Sequence, residues 1–343
     1  MHFSLLSVGV TALASCLVSL SGCASFNQTP NDVYRREAGG KLELWKSVGD
    51  ASAMHWPYAW SAVAAYQDSD DPKRKPLDSS PTCPEPHAFL TQRGWVQWAD
   101  LPSLRPQLNE QYAEAAQKMR EVHLRAEVWS NEQTRQVVVA FGGTAASSSD
   151  DWKANLRWSL RFFDSERRDE YTVLTDIFVP VFVKAYKNRR DEDGWKWLNE
   201  ARIVSTGHSL GGGLSQRFAY SLEASSDVPI VKEVYAFDPS PVSGKRDSPN
   251  FQEQAKGLTI YRIYKRGEVL ASLRSLVHFG NPGDERNQGQ KWIDIRYLDD
   301  WTFRTLLPSG SVHAHGMHEL AKFMARNLPA AEKPACLAGV VAN

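Results

Sequence analysis

One serine of this chain stands among glycines, where a run of β-branched residues meets a helical pattern. The stretch Gly207-His208-Ser209-Leu210-Gly211 fits G-x-S-x-G, with ARIVST before it and LGGGLSQRFAYSLEAS after it. Small neighbours let a strand turn sharply into a helix, which leaves a serine hydroxyl clear of the sheet edge. The pattern predicts a nucleophile at Ser209 and an oxyanion donor at the backbone N–H of Leu210. The alternative is a tight turn without chemistry.

A serine nucleophile needs a base, and the base needs an acid that orients it. In α/β-hydrolases the order along the chain is serine, acid, histidine, so the search is confined to residues after Ser209. The downstream histidines are His278, His313, His315 and His318, and the last three lie in SVHAHGMHELAKF. A metal site is another use for three close histidines, although Glu319 is the single acidic residue beside them.

A second motif lies upstream in VVVAFGGTAASSSDDWKANL, residues 137–156. This stretch and GHSLGGGL together resemble the class 3 lipase family, in which a strand is followed by R-G-T and then D-W-x-x-N-L. The resemblance implies that the backbone N–H of Thr144 is the second oxyanion donor. Gly142 departs from the pattern, because the family usually has arginine there.

The same resemblance suggests the rest of a triad. The family places its histidine just before the final helix in a pattern like H-x-x-Y, and His315 matches this spacing. His313 and His318 remain open as alternatives. Glu268, in LTIYRIYKRGEVLASL, stands where the family has its acid. Asp238, in YAFDPSPV, is the alternative acid, since some other lipases carry theirs after the preceding strand.

The resemblance implies a lipase-like or phospholipase-like hydrolysis of lipid esters through an acyl-enzyme, without a metal or organic cofactor. The apolar residues of 156–163 fit a lid over an acyl groove or, equally, a packed surface helix. A different class of function is also open: a non-catalytic lipoprotein that uses a hydrolase scaffold as a binding module.

The elements around these motifs alternate between strands and helices. A hairpin is predicted where the polar segment NEQT separates RAEVWS from RQVVVAF. Further strand candidates are ARIVST, VKEVYAF and LTIYRIYK. Helical periodicity is found in SAMHWPYAWSAVAAYQ, in residues 172–190 and in HELAKFMARNL. Strands separated by helices favour an α/β fold with a mostly parallel sheet covered on both faces. We expect one α/β-hydrolase domain over residues 47–343.

Composition adds one exclusion. The chain has 343 residues, of which 42% are hydrophobic and 23% charged, as in ordinary globular proteins. Its 40 basic residues balance 40 acidic ones. A net charge of zero gives no reason to predict nucleic-acid binding.

The N-terminus resembles a bacterial lipoprotein signal. Residues 1–22 are apolar without an acidic residue and end in Leu-Ser-Gly before Cys23, as in a lipobox. We expect cleavage before Cys23, lipidation of its thiol and a tether over residues 23–46. Ala24 suggests an outer-membrane lipoprotein of the cell envelope by resemblance to lipoprotein sorting. An uncleaved short membrane anchor is the alternative.

Two cysteines remain once the signal and Cys23 are set aside. Cys83 and Cys336 could form one disulfide between an early loop and the C-terminal tail in an oxidising compartment. Two free thiols are the alternative.

Overall fold

The fold is described by a computed structural model over residues 31–67, 85–101, 110–143, 168–223, 227–240, 243, 251–265, 289–298 and 316–337. Its strands in chain order are β1 Asp32–Glu37, β2 Glu43–Ser47, β3 Val96–Gln97, β4 Ala126–Asn131, β5 Gln136–Phe141, β6 Arg202–His208, β7 Glu233–Phe237, β8 Thr259–Lys265 and β9 Lys291–Tyr297.

All these strands belong to one sheet in the order β2-β1-β9-β8-β7-β6-β5-β4-β3. The five central strands, β5 to β9, are parallel. β4 pairs antiparallel with β5, as the predicted hairpin requires, and β1 pairs antiparallel with β9. Parallel strands bring their carboxyl ends to one edge of the sheet, which is where ligands bind in α/β folds. The predicted α/β-hydrolase fold is confirmed.

Helices connect and cover the strands. Their bounds are α1 Val48–Gln67, α2 Pro86–Thr91, α3 Ala113–Glu121, α4 Arg168–Val173, α5 Val179–Asp191, α6 Leu210–Ser221, α7 Phe251–Gln254 and α8 Met317–Arg326. Short 3-10 turns lie at Glu110–Tyr112, Lys196–Glu200, Ala330–Glu332 and Ala335–Leu337. No helix among the described residues is both long enough and apolar enough to cross a bilayer.

The two faces of the sheet carry separate hydrophobic cores. Val137 and Val139 of β5 pack with α5 and α6 on one face, whereas Val138 packs with α1 and α8 on the other. Successive strand side chains point to opposite faces, so an uninterrupted apolar strand supplies both cores at once. This is why β5 is apolar from Val137 to Phe141, without the polar alternation of a half-exposed strand.

The helix predicted over residues 172–190 is interrupted. α4 ends at Val173, residues Leu174–Phe178 are π-helical, and α5 begins at Val179 with Pro180 in its first turn. Proline has no N–H and its ring clashes with the carbonyl four residues earlier. A widened turn before Pro180 accommodates both effects, so the chain continues without breaking.

The prediction of a tether over residues 23–46 is wrong from Asp32 onward, because β1 and β2 belong to the sheet. Val33 of β1 is fully buried, and this strand pairs along its length with β9. The buried Asp294 of β9 accepts hydrogen bonds from Nε of Arg36 at 3.1 Å and Nε of Arg262 at 2.7 Å. Burial alone would raise the pKa of Asp294, but the two arginines outweigh it and lower this pKa. Polar strands held by such pairs resemble a tether in sequence.

Candidate active site

The predicted strand–serine–helix turn is present. β6 ends at His208, α6 begins at Leu210, and Ser209 joins them with φ 56° and ψ −119°. Residues with a side chain rarely adopt a positive φ, and such strain persists only when surrounding contacts hold it. The Ser209 N–H donates to the carbonyl of Phe237 at 3.0 Å, and its own carbonyl accepts from Gly212 at 3.0 Å and Ser240 at 2.9 Å. The turn is therefore fixed on both sides.

The glycines of the motif allow three backbone segments to meet. A methyl group on Gly207 would overlap the carbonyl of Gly211, and one on Gly211 would overlap the carbonyl of Phe141 at the end of β5. Glycine is the residue for such close approach because it has no Cβ. The first turn of α6 consequently lies directly against the carboxyl ends of β5 and β6, with the positive end of its dipole at Ser209.

Gly142 and Gly143 lead from β5 toward the predicted oxyanion donor. A Cβ on Gly142 would lie 2.7 Å from the carbonyl oxygen of Ala65 in α1. The arginine of the family pattern has no room there, which explains the departure. A Cβ on Gly143 would lie 2.6 Å from the carbonyl oxygen of His208. The start of this loop thus abuts the residue before Ser209.

Tyr66, in the last turn of α1, contacts His208, the residue before Ser209. Its hydroxyl lies 2.8 Å from Nδ1 of His208 and donates to the carbonyl of His208 at 3.4 Å. The imidazole of His208 is buried, and the two rings are tilted with centroids 5.8 Å apart. The sequence offered no signal for Tyr66, since 142 residues separate it from His208.

Asp238 follows β7 beside the serine turn. The sheet register pairs His208 with Phe237, so Ser209 and Asp238 are the next residues of neighbouring parallel strands. Asp238 is fully buried, has φ 41°, and donates its backbone N–H to the carbonyl of Ile263 at 2.8 Å. A buried carboxylate at this edge is suited to hold and orient an imidazolium.

Of the remaining predicted site residues, His318 lies within the part of the chain that the structure describes and the others lie outside it. His318 lies in the first turn of α8, with its ring edge-on to Trp60 at a centroid distance of 6.0 Å. It packs in the interface between α1 and α8. The following lie outside the described residues: Cys23, Cys83, Thr144, the proposed lid over 156–163, Glu268, His313 and His315. Those assignments remain predictions.

The cysteine expectation is tested at Cys336, whereas two of the three histidines of the metal alternative, His313 and His315, lie outside the described residues. Cys336 is disulfide-bonded, so the predicted bridge at the C-terminal tail is confirmed on that side. Cys83 remains the predicted partner. Arg93 hydrogen-bonds the backbone carbonyl of Glu332, which brings the tail close to the end of α2. Within the described ranges, no three His, Cys, Asp or Glu side chains are grouped as a metal site.

Comparison with known proteins gives one family match. Residues 62–228 match the profile of a phospholipase-like family described as the Tle-like phospholipase domain. The matched segment contains the end of α1, Gly142, Gly143 and the serine turn, and it stops before β7. The predicted likeness to lipid-hydrolysing enzymes is confirmed by this match. No curated protein shows significant sequence similarity to the chain.

Several solved lipases are distantly similar. A fungal lipase in an inhibitor complex is 14% identical, with 68% of this chain and 74% of that one covered, at a TM-score of 0.38. The native propeptide complex of Rhizomucor miehei lipase is 14% identical over 74% and 72%, at 0.39. A triacylglycerol lipase with a serine protease triad is 13% identical over 71% and 78%, at 0.39.

Proposed function

We propose that this protein is a serine hydrolase of lipid carboxylic esters, with Ser209 as its nucleophile. The observation that carries the proposal is the strained backbone of Ser209, held by hydrogen bonds to Phe237, Gly212 and Ser240 at the carboxyl edge of the sheet. Strain of this kind persists at functional sites because the surroundings over-determine it. The family match over residues 62–228 includes this turn and supports a lipid substrate.

The reaction proceeds in two steps. The hydroxyl oxygen of Ser209 attacks the ester carbonyl carbon while its proton passes to a histidine. The tetrahedral intermediate collapses to an acyl-serine, and the alcohol leaves with the proton from the histidine. Water, deprotonated by the same histidine, then attacks the acyl-serine, which releases the fatty acid and returns the proton to Ser209.

The base is His315, which the lipase resemblance places just before the final helix. α8 begins at Met317, two residues after His315 in the sequence. His318 is less suited, because its ring packs against Trp60 in a helix interface. His313 is the remaining alternative.

For the acid, the described geometry favours Asp238 over Glu268. Asp238 is fully buried and directly follows the strand beside the one that ends at Ser209. Its backbone turn is linked to the nucleophile, since the N–H of Ser240 donates to the carbonyl of Ser209. Glu268 follows β8, one strand further from the serine.

The oxyanion hole combines the backbone N–H groups of Leu210 and Thr144. Leu210 is the first residue of α6, where N–H groups have no partner within the helix. Thr144 follows Gly143, which abuts His208. Two donors aimed at one oxygen stabilise the charge that develops on it, and loss of one such donor costs about a hundredfold or more in rate.

Hydrolysis by the signal-less protein tests the proposal. Purified protein is assayed with p-nitrophenyl esters, phospholipid vesicles and triacylglycerol emulsions, beside Ser209→Ala as the matched control. We expect fatty-acid release from at least one lipid substrate by the wild type and none by Ser209→Ala. If neither protein hydrolyses any ester while both are folded, the alternative of a non-catalytic binding module is supported instead.

We further propose that a lipidated Cys23 holds the enzyme at the cell envelope. β1 begins at Asp32, so eight residues along the chain separate Cys23 from the sheet. Even fully extended, they span roughly 30 Å, which keeps the site near lipid substrate. Cys23→Ser should move the protein from the membrane fraction to the soluble fraction, because anchoring of this kind relies on acyl chains. Equal fractionation of both proteins would favour an uncleaved anchor.

A further inference from the structure

Tyr66 lies where three parts of the candidate site converge. Its hydroxyl is 2.8 Å from the imidazole Nδ1 of His208, the last residue of β6. A methyl group on Gly143 would overlap this hydroxyl, so the oxyanion loop begins in contact with it. Ser209 follows His208 directly. One phenol oxygen therefore contacts His208, which precedes the nucleophile, and Gly143, which precedes the proposed donor Thr144.

The geometry points to Tyr66 as a positioning residue that sets Gly143, the residue before the proposed donor Thr144, relative to Ser209 through His208. This inference rests on the proposed ester hydrolysis. Tyr66 fixes the buried imidazole of His208, and the backbone carbonyl of His208 in turn meets Gly143. A shift of His208 would change the gap between Gly143, which precedes Thr144 in the sequence, and Ser209.

The hydroxyl, rather than the ring, carries this role. The His208 imidazole has two nitrogens, and a buried nitrogen without a hydrogen-bond partner is costly. The phenol can donate to Nδ1, or accept from it while donating to the carbonyl of His208. The first arrangement fixes the imidazole ring alone, whereas the second bonds both the ring and the backbone carbonyl of His208. Phenylalanine would keep the packing and remove this connection.

The consequence for rate follows from the geometry of oxyanion stabilisation. Donors must lie at hydrogen-bond distance from the place that the negative oxygen occupies in the transition state. Because these hydrogen bonds are stronger in the transition state than in the substrate complex, they affect kcat more than KM. A displacement of about 1 Å costs about a hundredfold in rate. Loss of the Tyr66 hydroxyl should therefore lower kcat and leave KM nearly unchanged.

Tyr66→Phe is tested beside Tyr58→Phe as a matched control. Tyr58 is on the same helix and its hydroxyl donates to the buried Gln136 at 3.2 Å, so both variants lose one hydroxyl from α1. We expect kcat for a p-nitrophenyl ester to fall about tenfold or more in Tyr66→Phe, with an unshifted pH profile. Tyr58→Phe should keep the wild-type kcat with a similar change in Tm.

Variants of His208 complete the test. His208→Asn places an amide close to the position of Nδ1, so it should keep more activity than His208→Phe. The double variant Tyr66→Phe/His208→Phe should lose no more than the worse single variant, because the two residues act as one unit.

Several results would overturn the inference, each in a different way. An active wild type with an unchanged kcat in Tyr66→Phe contradicts the positioning role alone, as does an equal loss in Tyr58→Phe. A wild type that hydrolyses no ester contradicts the proposed function and this inference with it. A shifted pH profile in Tyr66→Phe would instead assign the phenol a direct part in proton transfer.

Discussion

Ser209 and Asp238 occupy equivalent positions at the ends of two neighbouring parallel strands. Each directly follows one residue of the pair formed by His208 in β6 and Phe237 in β7. Both have a positive φ, 56° at Ser209 and 41° at Asp238. Two adjacent strands thus end in the same strained way at the same edge of the sheet. A hydrogen bond from Ser240 to the carbonyl of Ser209 connects the two turns. This is the relationship that the proposed triad requires of its nucleophile and its acid.

The acid can be identified by two substitutions. Asp238→Asn should lower kcat about ten-thousandfold, because an amide holds the histidine in the wrong tautomer. Asparagine tolerates a positive φ, so the turn should survive and Tm serves as the control. Glu268→Gln should keep most of the activity. Steady-state kinetics on both variants decide the question, and the reverse pattern would place the acid on the loop after β8.

The base is tested by three alanine variants. His315→Ala should lose about a thousandfold or more in kcat, and adding Ser209→Ala should cost little further, since residues of one triad are strongly non-additive. His313→Ala and His318→Ala should stay close to the wild type in kcat. A large loss in His313→Ala with an active His315→Ala would move the base by two residues and contradict the spacing inferred from the lipase resemblance.

A titratable contact away from the site gives a prediction for stability. Nε2 of His87 in α2 lies 2.9 Å from a carboxylate oxygen of Glu127, whose side chain is 1% exposed on β4. Burial lowers the pKa of His87, but the hydrogen bond and charge of Glu127, together with Glu85, outweigh it, so this pKa is raised above 6.5.

A raised pKa in the folded state means that the folded protein binds this proton more tightly than the unfolded chain does. The resulting stabilisation is complete below pH 6.5 and is lost as the pH rises through the folded pKa. Tm should therefore fall as the pH rises above 6.5. This contribution should disappear in His87→Gln and in Glu127→Gln, and an unchanged pH dependence in both variants would refute it.

The sequence predicts the serine turn well because its requirements are local. Gly207 is needed for its close approach to Gly211 within the motif itself, although Gly211 also meets Phe141 on the neighbouring strand. The central strands are equally readable, since β5 must supply apolar side chains to both faces and is apolar from Val137 to Phe141. The hairpin of β4 and β5 follows from the short polar segment between them.

Long-range relationships explain what the sequence does not reveal. Tyr66 acquires its place from the way α1 crosses the sheet, and no pattern around it in sequence marks this contact. β1 contributes a single buried valine and is held by Arg36 on Asp294, more than 250 residues away. Gly142 departs from the family pattern for a reason visible only in space, the carbonyl of Ala65.

The most direct measurement of the central claim is covalent labelling of Ser209. The folded, signal-less protein is treated with a fluorophosphonate probe, and the adduct is located by mass spectrometry of its peptides. Nucleophilic attack by the activated serine on phosphorus displaces fluoride and leaves a stable phosphonyl ester. We predict one adduct, on Ser209, which a lipid ester suppresses by competition and which Ser209→Ala abolishes together with ester hydrolysis. Hydrolysis retained by Ser209→Ala, or an adduct on a different residue in an active protein, would contradict the account.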